Sequence, residues 1–247
     1  MDPNTKLRRV DQESLSLEEH RAVEKFPYHQ LVGCLLYVAI STRPNIAFGV
    51  QQLTQYLDSY AIPHWNAAIC LVRYLKGTRN LKLHLGGRNP NIKLNGFTDS
   101  DWASCPNSRR SLGGSMWSLG TGAISWAIRK QRTVAASSCE AEYMAAFECA
   151  QECIWLQALL KGIGLDLTSQ PTQMFCDNDS AIALSKDPLL HARVKHVDIK
   201  YHFLRKQVQS NEIILLRVPS KDNTADIFTK ALPTPAFIYL RPRLGLR

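Results

Sequence analysis

Apolar residues recur along this chain in two different periods, and the switch between them near residue 90 organises the rest. Up to about residue 25, charges of both signs dominate and aromatics are few, which predicts a flexible charged arm. From Tyr28 the spacing turns helical, with Tyr28, Leu31, Val32, Leu35, Leu36 and Ala39 recurring at three and four. Thr42-Arg43-Pro44 interrupts that pattern, because a proline disfavours the α region at the residue before it. Ile46, Val50, Leu53 and Leu57 predict a second helix, closed by Ile62-Pro63. Trp65, Ala68, Ile69, Val72 and Leu75 predict a third, which stops before Gly77. Three such helices make a small scaffold with no chemistry of its own.

After Gly86-Gly87 the period falls to that of strands. Residues 94–101, 113–119 and 122–130, separated by glycine turns, predict an antiparallel meander. A long helix follows over about 137–161, with Gly162 and Gly164 as stop signals. Next come a strand at 172–176, helices at about 180–185 and 197–209, a strand at 212–218 and a last helix over 223–231. That series is an α/β layer arrangement. The predicted organisation is an arm (1–25), a helical segment (26–90), an α/β domain (91–235) and a C-terminal tail (236–247).

Composition narrows the class. The 247 residues are 45% hydrophobic and 21% charged, enough apolar material for a sizeable core and far from a disordered chain. No apolar run reaches the ~18 residues of a membrane span, and residues 1–24 lack the apolar stretch of a secretory signal. An intracellular, cytoplasmic protein without membrane contact is expected. Lysine and arginine outnumber aspartate and glutamate by 30 to 21, and the net charge of +9 favours a polyanionic partner. Seven cysteines without a Cys-x-x-Cys pair predict reduced thiols, neither a disulfide framework nor a zinc ribbon.

The α/β half places one acid at each of four points where elements converge. Asp99 lies near the end of the first strand, Glu142 one turn into the long helix, Asp177 just past the fourth strand, and Asp226 near the start of the last helix. Tyr143, Ala146, Ala150, Cys139, Cys153 and Ile154 form one apolar stripe on the long helix. Glu142 falls on its flank, whereas Glu148 and Glu152 fall on the opposite, solvated side. A carboxylate facing a core is costly unless paired. A salt bridge to an arginine is one answer and a metal is the other. Several carboxylates aimed at one point make sense mainly around a cation, and an oxygen-only set suits Mg²⁺ or Mn²⁺. Two such ions ~4 Å apart form the clamp used for in-line displacement at phosphorus.

The ordered motifs FTDSDWA, SSCEAEYMA, CDNDSAIAL and NTADIFTKAL resemble the ribonuclease H domain of copia-type retrotransposon polyproteins. KHVDIKYHFLR fits the same family, and LVGCLLYVAISTRPNIAFGV with HWNAAICLVRYLKGT resembles its reverse transcriptase thumb and connection. The resemblance covers about residues 25–240. It implies a ribonuclease H-like mixed sheet flanked by helices, preceded by a small three-helix segment. By motif it implies Asp99, Glu142, Asp177 and Asp226 as the catalytic, metal-binding D-E-D-D set, holding two Mg²⁺ with Mn²⁺ as a substitute and no small-molecule cofactor. Asp101 shares strand parity with Asp99, so the pattern does not separate them, and the resemblance favours Asp99. The implied reaction is endonucleolytic hydrolysis of the RNA strand of an RNA–DNA hybrid, leaving a 5′-phosphate and a 3′-hydroxyl. The rest of a retrotransposon reverse transcriptase is an implied partner, and a virus-like particle the implied setting of an active element.

Other features have two readings each. The run His191, Arg193, Lys195, His196, Lys200, His202 and Arg205 either lines a phosphate backbone or decorates a solvated helix. Arg193, Lys195, His196, His202 and Arg205 are the candidate contacts. Trp102, Trp117 and Trp126 are expected in the core and not as stacking platforms, and Asp179 is expected to cap the helix beginning at Ser180. No Tyr-x-Asp-Asp run occurs, so no polymerase activity is expected of this chain alone. The rival reading is an inactive retroelement relic or a nucleic-acid-binding module.

Overall fold

The computed structural model describes residues 7–11, 16–86, 92–186 and 198–247, and the side chains of all but 198–201 among them. In chain order the elements are α1 (Leu17–Glu24), α2 (Tyr28–Ser41), α3 (Ala47–Thr54), α4 (Ile62–Gly77), β1 (Leu94–Asp101), β2 (Leu112–Leu119) and β3 (Gly122–Lys130). They continue with α5 (Ser138–Gly162), β4 (Thr172–Cys176), α6 (Asp179–Lys186), α7 (Asp198–Gln209), β5 (Ile213–Arg217), α8 (Asp226–Thr229) and α9 (Thr234–Leu240). Short 3-10 turns occupy Pro44–Ile46, Ser220–Asp222 and Arg241–Leu244.

The sheet order is β3-β2-β1-β4-β5. The first three strands pair antiparallel, as the glycine-punctuated meander predicts, while β4 joins β1 and β5 joins β4 in parallel. The result is a mixed five-stranded sheet flanked by helices, as expected. Alternation along β1 divides its side chains. Gly96 faces the Trp117 ring on the side covered by α5, whereas Phe97 and Asp99 face α8. On the α5 side Leu94, Trp117, Met174 and Leu215 pack with Tyr143, Cys149, Cys153 and Leu156. On the other side Met116, Ala123, Ile227 and Phe228 pack with Leu240, Leu244 and Leu246. Tyr28, Val32, Leu35, Val50, Leu53 and Leu71 form a third cluster among the first helices.

Helix α5, the long spine, has defined ends. The Ser137 hydroxyl accepts the Glu140 N–H at 3.2 Å, satisfying one of the orphan donors of the first turn. At the other end Gly164 takes φ +89, and Leu165 N–H returns to Leu160 O at 2.8 Å. That left-handed turn is why the helix stops there.

Several expectations need correction. Residues 17–24, expected as part of a flexible arm, form α1, opened by a capping box between Ser16 and Glu19. Leu7 is buried against the helical cluster and its carbonyl accepts the Tyr56 hydroxyl at 2.8 Å. Ile62-Pro63 opens α4 and does not close the helix before it, because a proline in the first turn sacrifices an N–H that has no partner. The helix expected over 223–231 shrinks to the four residues of α8 after a 3-10 turn. The expected tail instead folds as the end of α9 and a 3-10 turn, with Leu240, Leu244 and Leu246 buried. Trp117 is buried and Trp126 half-buried, but Trp102 is exposed, its Nε1 donating to Ala135 O at 3.0 Å.

Bonds tie the helical segment to the sheet. Trp126 Nε1 donates to Ala39 O at 3.0 Å, and Arg241 Nη1 donates to the Tyr74 hydroxyl at 3.3 Å. Lys82 and Arg247 exchange backbone hydrogen bonds at 2.8 and 3.1 Å, and His84 N–H donates to Gly245 O at 2.8 Å. Among the described residues, no helix is long and apolar enough to cross a membrane.

Candidate metal centre

Strands β1 and β4 run parallel side by side, so their carboxyl ends open at the same edge of the sheet. That placement carries Asp99, near the end of β1, and Asp177, the residue after β4, to one point. Helix α8 brings Asp226 from one face, and α5 brings Glu142. One carboxylate oxygen each of Asp99, Asp177 and Asp226 lie within 4.8 Å of one another. A second group under the same limit joins Asp177 to Glu142 and the Cys176 thiol. Asp177 thus belongs to both groups, and all four acids predicted from the sequence converge.

A close approach of backbones makes this possible. Gly114 on β2 pairs with Asp99 on β1. A Cβ at Gly114 would meet Phe228 Cβ and Thr229 Cγ2 at 2.8 Å, so the absence of a side chain lets α8 lie directly on the sheet. Asn223 sets the segment before α8, its Nδ2 donating to Thr98 O at 3.0 Å and its Oδ1 accepting Ala225 N–H at 3.2 Å.

Burial and charge shape the acids. Asp99 is 1% exposed, Glu142 6% and Asp226 8%, too little for solvation alone to carry their charges. Burial, with Asp99 and Asp177 adding to it, pushes the Glu142 carboxyl up to about 9. Burial, then Asp99, pushes Asp226 up to about 7. The Glu142 Oε1 accepts the Ser100 N–H at 3.2 Å, which fixes its direction. Thr229 Oγ1 donates to Asp99 Oδ2. Lys230 Nζ lies 3.1 Å from Asp226 Oδ1 and 3.4 Å from Asp99 Oδ1. Burial alone would lower the Lys230 ammonium, but Asp99 and Asp226 outweigh it and hold the group charged. The arginine partner considered for Glu142 is not what the structure supplies among the described residues.

The donor set fits a divalent cation. Four carboxyl groups converge on one edge with a single ammonium among them in the described residues, an excess of negative charge that a hard, oxygen-seeking ion relieves. Burial, with Glu142 adding to it, pushes the Cys176 thiol up; carboxylate oxygens make up the rest of the set, which suits a hard cation.

Other candidate residues fare differently. Arg193, Lys195 and His196 lie outside the described residues. On α7, His202 is exposed and Arg205 is buried, its Nη2 3.3 Å from His202 Nδ1. Asp179 is the first residue of α6 and not its cap. Asn178 takes that place, its Oδ1 accepting Ala181 N–H at 3.0 Å, while Asp179 pairs with Arg217 at 3.4 Å. Glu148 and Glu152 are half-buried against the sheet, with Ser125 Oγ donating to Glu152 at 2.7 Å.

Sequence reasoning missed Lys230, although it stands four residues after Asp226, the spacing at which helical neighbours meet. It also missed a cavity of about 690 Å³ beside the acids. Phe48 and Gln52 of α3 line it with Gln55 just past that helix, as do Trp102, Arg109, Arg110 and Lys130, and Thr229 and Lys230 beside the acids. No sequence period links residues so far apart.

No protein-family model matches the chain. Over 231 residues, 94% of its length, it is 38% identical to the Retrovirus-related Pol polyprotein from transposon TNT 1-94 of Nicotiana tabacum. Over 219 residues, 89% of its length, it is 37% identical to the corresponding polyprotein from transposon RE2 of Arabidopsis thaliana. The chain belongs to the copia-type retrotransposon Pol family. It spans 17% and 15% of the lengths of these two Pol relatives. Among solved structures, the N-terminal RNase H domain of a Mycobacterium tuberculosis protein aligns with 61% of this chain and 96% of its own, at TM-score 0.39 and 15% identity.

Proposed function

We propose that this Pol segment is a metal-dependent ribonuclease H that hydrolyses the RNA strand of an RNA–DNA hybrid. The observation that carries the reading is the convergence of Asp99, Glu142, Asp177 and Asp226 from four separate elements on one edge of the sheet. Asp99, Asp177 and Asp226 would hold one Mg²⁺, and Glu142 with Asp177 a second, with Mn²⁺ able to substitute. Such ions, when bound, supply Lewis-acid polarisation of the scissile phosphate and a water of lowered pKa.

The chain's own groups do the positioning. Thr229 and Lys230 orient the Asp99 carboxylate, and the Ser100 N–H orients Glu142. Asn223 anchors the turn that delivers Asp226. The cavity rim of Arg8, Arg109, Arg110 and Lys130 offers cations to a phosphate backbone, with the exposed Trp102 ring beside them. His202, together with Arg193, Lys195 and His196, forms our proposed second contact set, with the Arg205 Nη2 in contact with His202 Nδ1 at 3.3 Å. Hybrid selectivity would rest on 2′-hydroxyl contacts and A-like groove shape. Residues 26–90 would serve as the thumb- and connection-like segment of a reverse transcriptase whose remaining parts are partners, and the cytoplasm is the compartment that fits this role.

The test is cleavage of a labelled RNA–DNA hybrid with Mg²⁺, with Mn²⁺ and with chelator. Metal-dependent cutting that disappears in Asp177→Asn, with an unchanged circular dichroism spectrum, is the expected result. Full activity in that variant removes Asp177 from the site. Tight hybrid binding without cleavage under any metal condition replaces the enzyme with a nucleic-acid-binding module.

A further inference from the structure

The role of Lys230 goes beyond orienting Asp99. Its Nζ reaches Asp226 Oδ1 at 3.1 Å and both oxygens of Asp99 at 3.4 Å. With both oxygens of Asp99 in its reach, a divalent cation that binds Asp99 would have to take one that the ammonium holds. Among the described residues, no other lysine, arginine or histidine pairs with Asp99 or Asp226. The ammonium therefore neutralises the buried pair where no metal does, and the carboxylates remain tolerable in an interior that would otherwise reject them.

Two cations do not share these oxygens. A hard divalent ion binds carboxylate oxygen at about 2.0–2.6 Å, and an ammonium held on the same atoms would stand within about 4 Å of it, strongly repelled. The lysine stem is flexible, and the backbone of Lys230 is fixed just past α8, so the ammonium can swing while Asp226 stays in place. Space for it exists: Lys230 lines the adjoining cavity of about 690 Å³, together with Trp102, Arg110 and Lys130.

Resting on the metal-site reading above, we propose that Lys230 is a built-in counter-cation, held by Asp99 and Asp226 in the metal-free protein and displaced into the adjoining cavity when a divalent ion binds. It is a positioning residue that sets metal affinity by competition. The side chain holds the acids in register before the metal arrives and weakens the metal's grip by its presence.

The test is Mn²⁺ binding to the full chain without nucleic acid, measured by calorimetry and by loss of the free-Mn²⁺ electron paramagnetic resonance signal. Lys230→Met keeps the stem and removes the charge, and it should bind Mn²⁺ about tenfold more tightly than the parent while melting at a lower temperature in chelator. Lys230→Gln, a second neutral replacement checked for folding by circular dichroism, should behave alike, and Lys230→Arg should bind no tighter than the parent. Parent-like or weaker Mn²⁺ binding by both folded neutral variants, with Asp226→Asn weaker than the parent, overturns the competition and leaves the metal site standing. Equal Mn²⁺ binding by the parent and Asp226→Asn overturns the metal site and the competition together.

Discussion

Replacing Gly114 with alanine tests whether the approach of α8 to the sheet sets the site. The added Cβ would stand 2.8 Å from Phe228 Cβ and Thr229 Cγ2, and 3.3 Å from Ala225 O. All three of these neighbours are short or backbone-anchored, so no flexible chain end can swing aside. Reaching an ordinary contact of 3.4 Å requires strand and helix to part by about 0.6 Å. Overpacking of this kind costs about 1–3 kcal/mol, and in a chain of this size each kcal/mol lowers the melting temperature by about 2–4 °C. The same shift carries Asp226 and Thr229 away from Asp99, and a displacement approaching 1 Å costs on the order of 100-fold in rate. Gly113→Ala is the control on the opposite face. Its Cβ would meet Ala145 Cβ at 3.4 Å, and its φ is not positive, so alanine there should be neutral or slightly stabilising. The assay is a thermal melt of both variants with hybrid cleavage measured in parallel. A Gly114→Ala protein that melts and cuts like its parent refutes the argument that α8 depends on a bare backbone at that position.

Other perturbations follow from the same geometry. In chelator, the melting temperature should fall as pH rises. Asp226 and Glu142 have folded values raised to about 7 and about 9 from 3.8 and 4.5, so the stability linked to their protons is complete below about pH 4 and lost by about pH 9. Added Mg²⁺ should flatten that curve, and a melting temperature that climbs between pH 6 and 9 in chelator contradicts the account. Leu244→Ala removes a fully buried side chain in the segment expected as a tail and should cost about 2–5 kcal/mol in denaturant unfolding, where a loose tail would show no change.

The sheet was legible because its signals are local. Strands β1, β3 and β4 coincide with their predicted ranges, and α5 carries its own cap and its own left-handed stop. The converging acids were legible because each sits at or within about one turn of an element end, inside a local motif. The C-terminal region was not, since α9 and the buried Leu244 and Leu246 are held by distant residues such as Met116 and Leu83. Alternation along a helix also misplaced Glu148 and Glu152, because a spine lying across a sheet is covered on more than the one side its stripe suggests. Asn178 took the cap expected of Asp179: either residue type can cap, and here Asn178 accepts the Ala181 N–H while Asp179 pairs with Arg217 on β5.

The pairing of Lys82 with Arg247, next to the bonds from Trp126 to Ala39 and from Arg241 to Tyr74, bears on cooperativity. The change of period near residue 90 marks a boundary in pattern, but these bonds cross it from several directions. Loss of the first helices would strip partners from β3 and from the last residues at once. The two portions are therefore expected to unfold in a single transition, with one set of midpoints by every probe. Local opening near the carboxyl terminus would then be felt in the helices, far away in sequence yet directly adjoining in space.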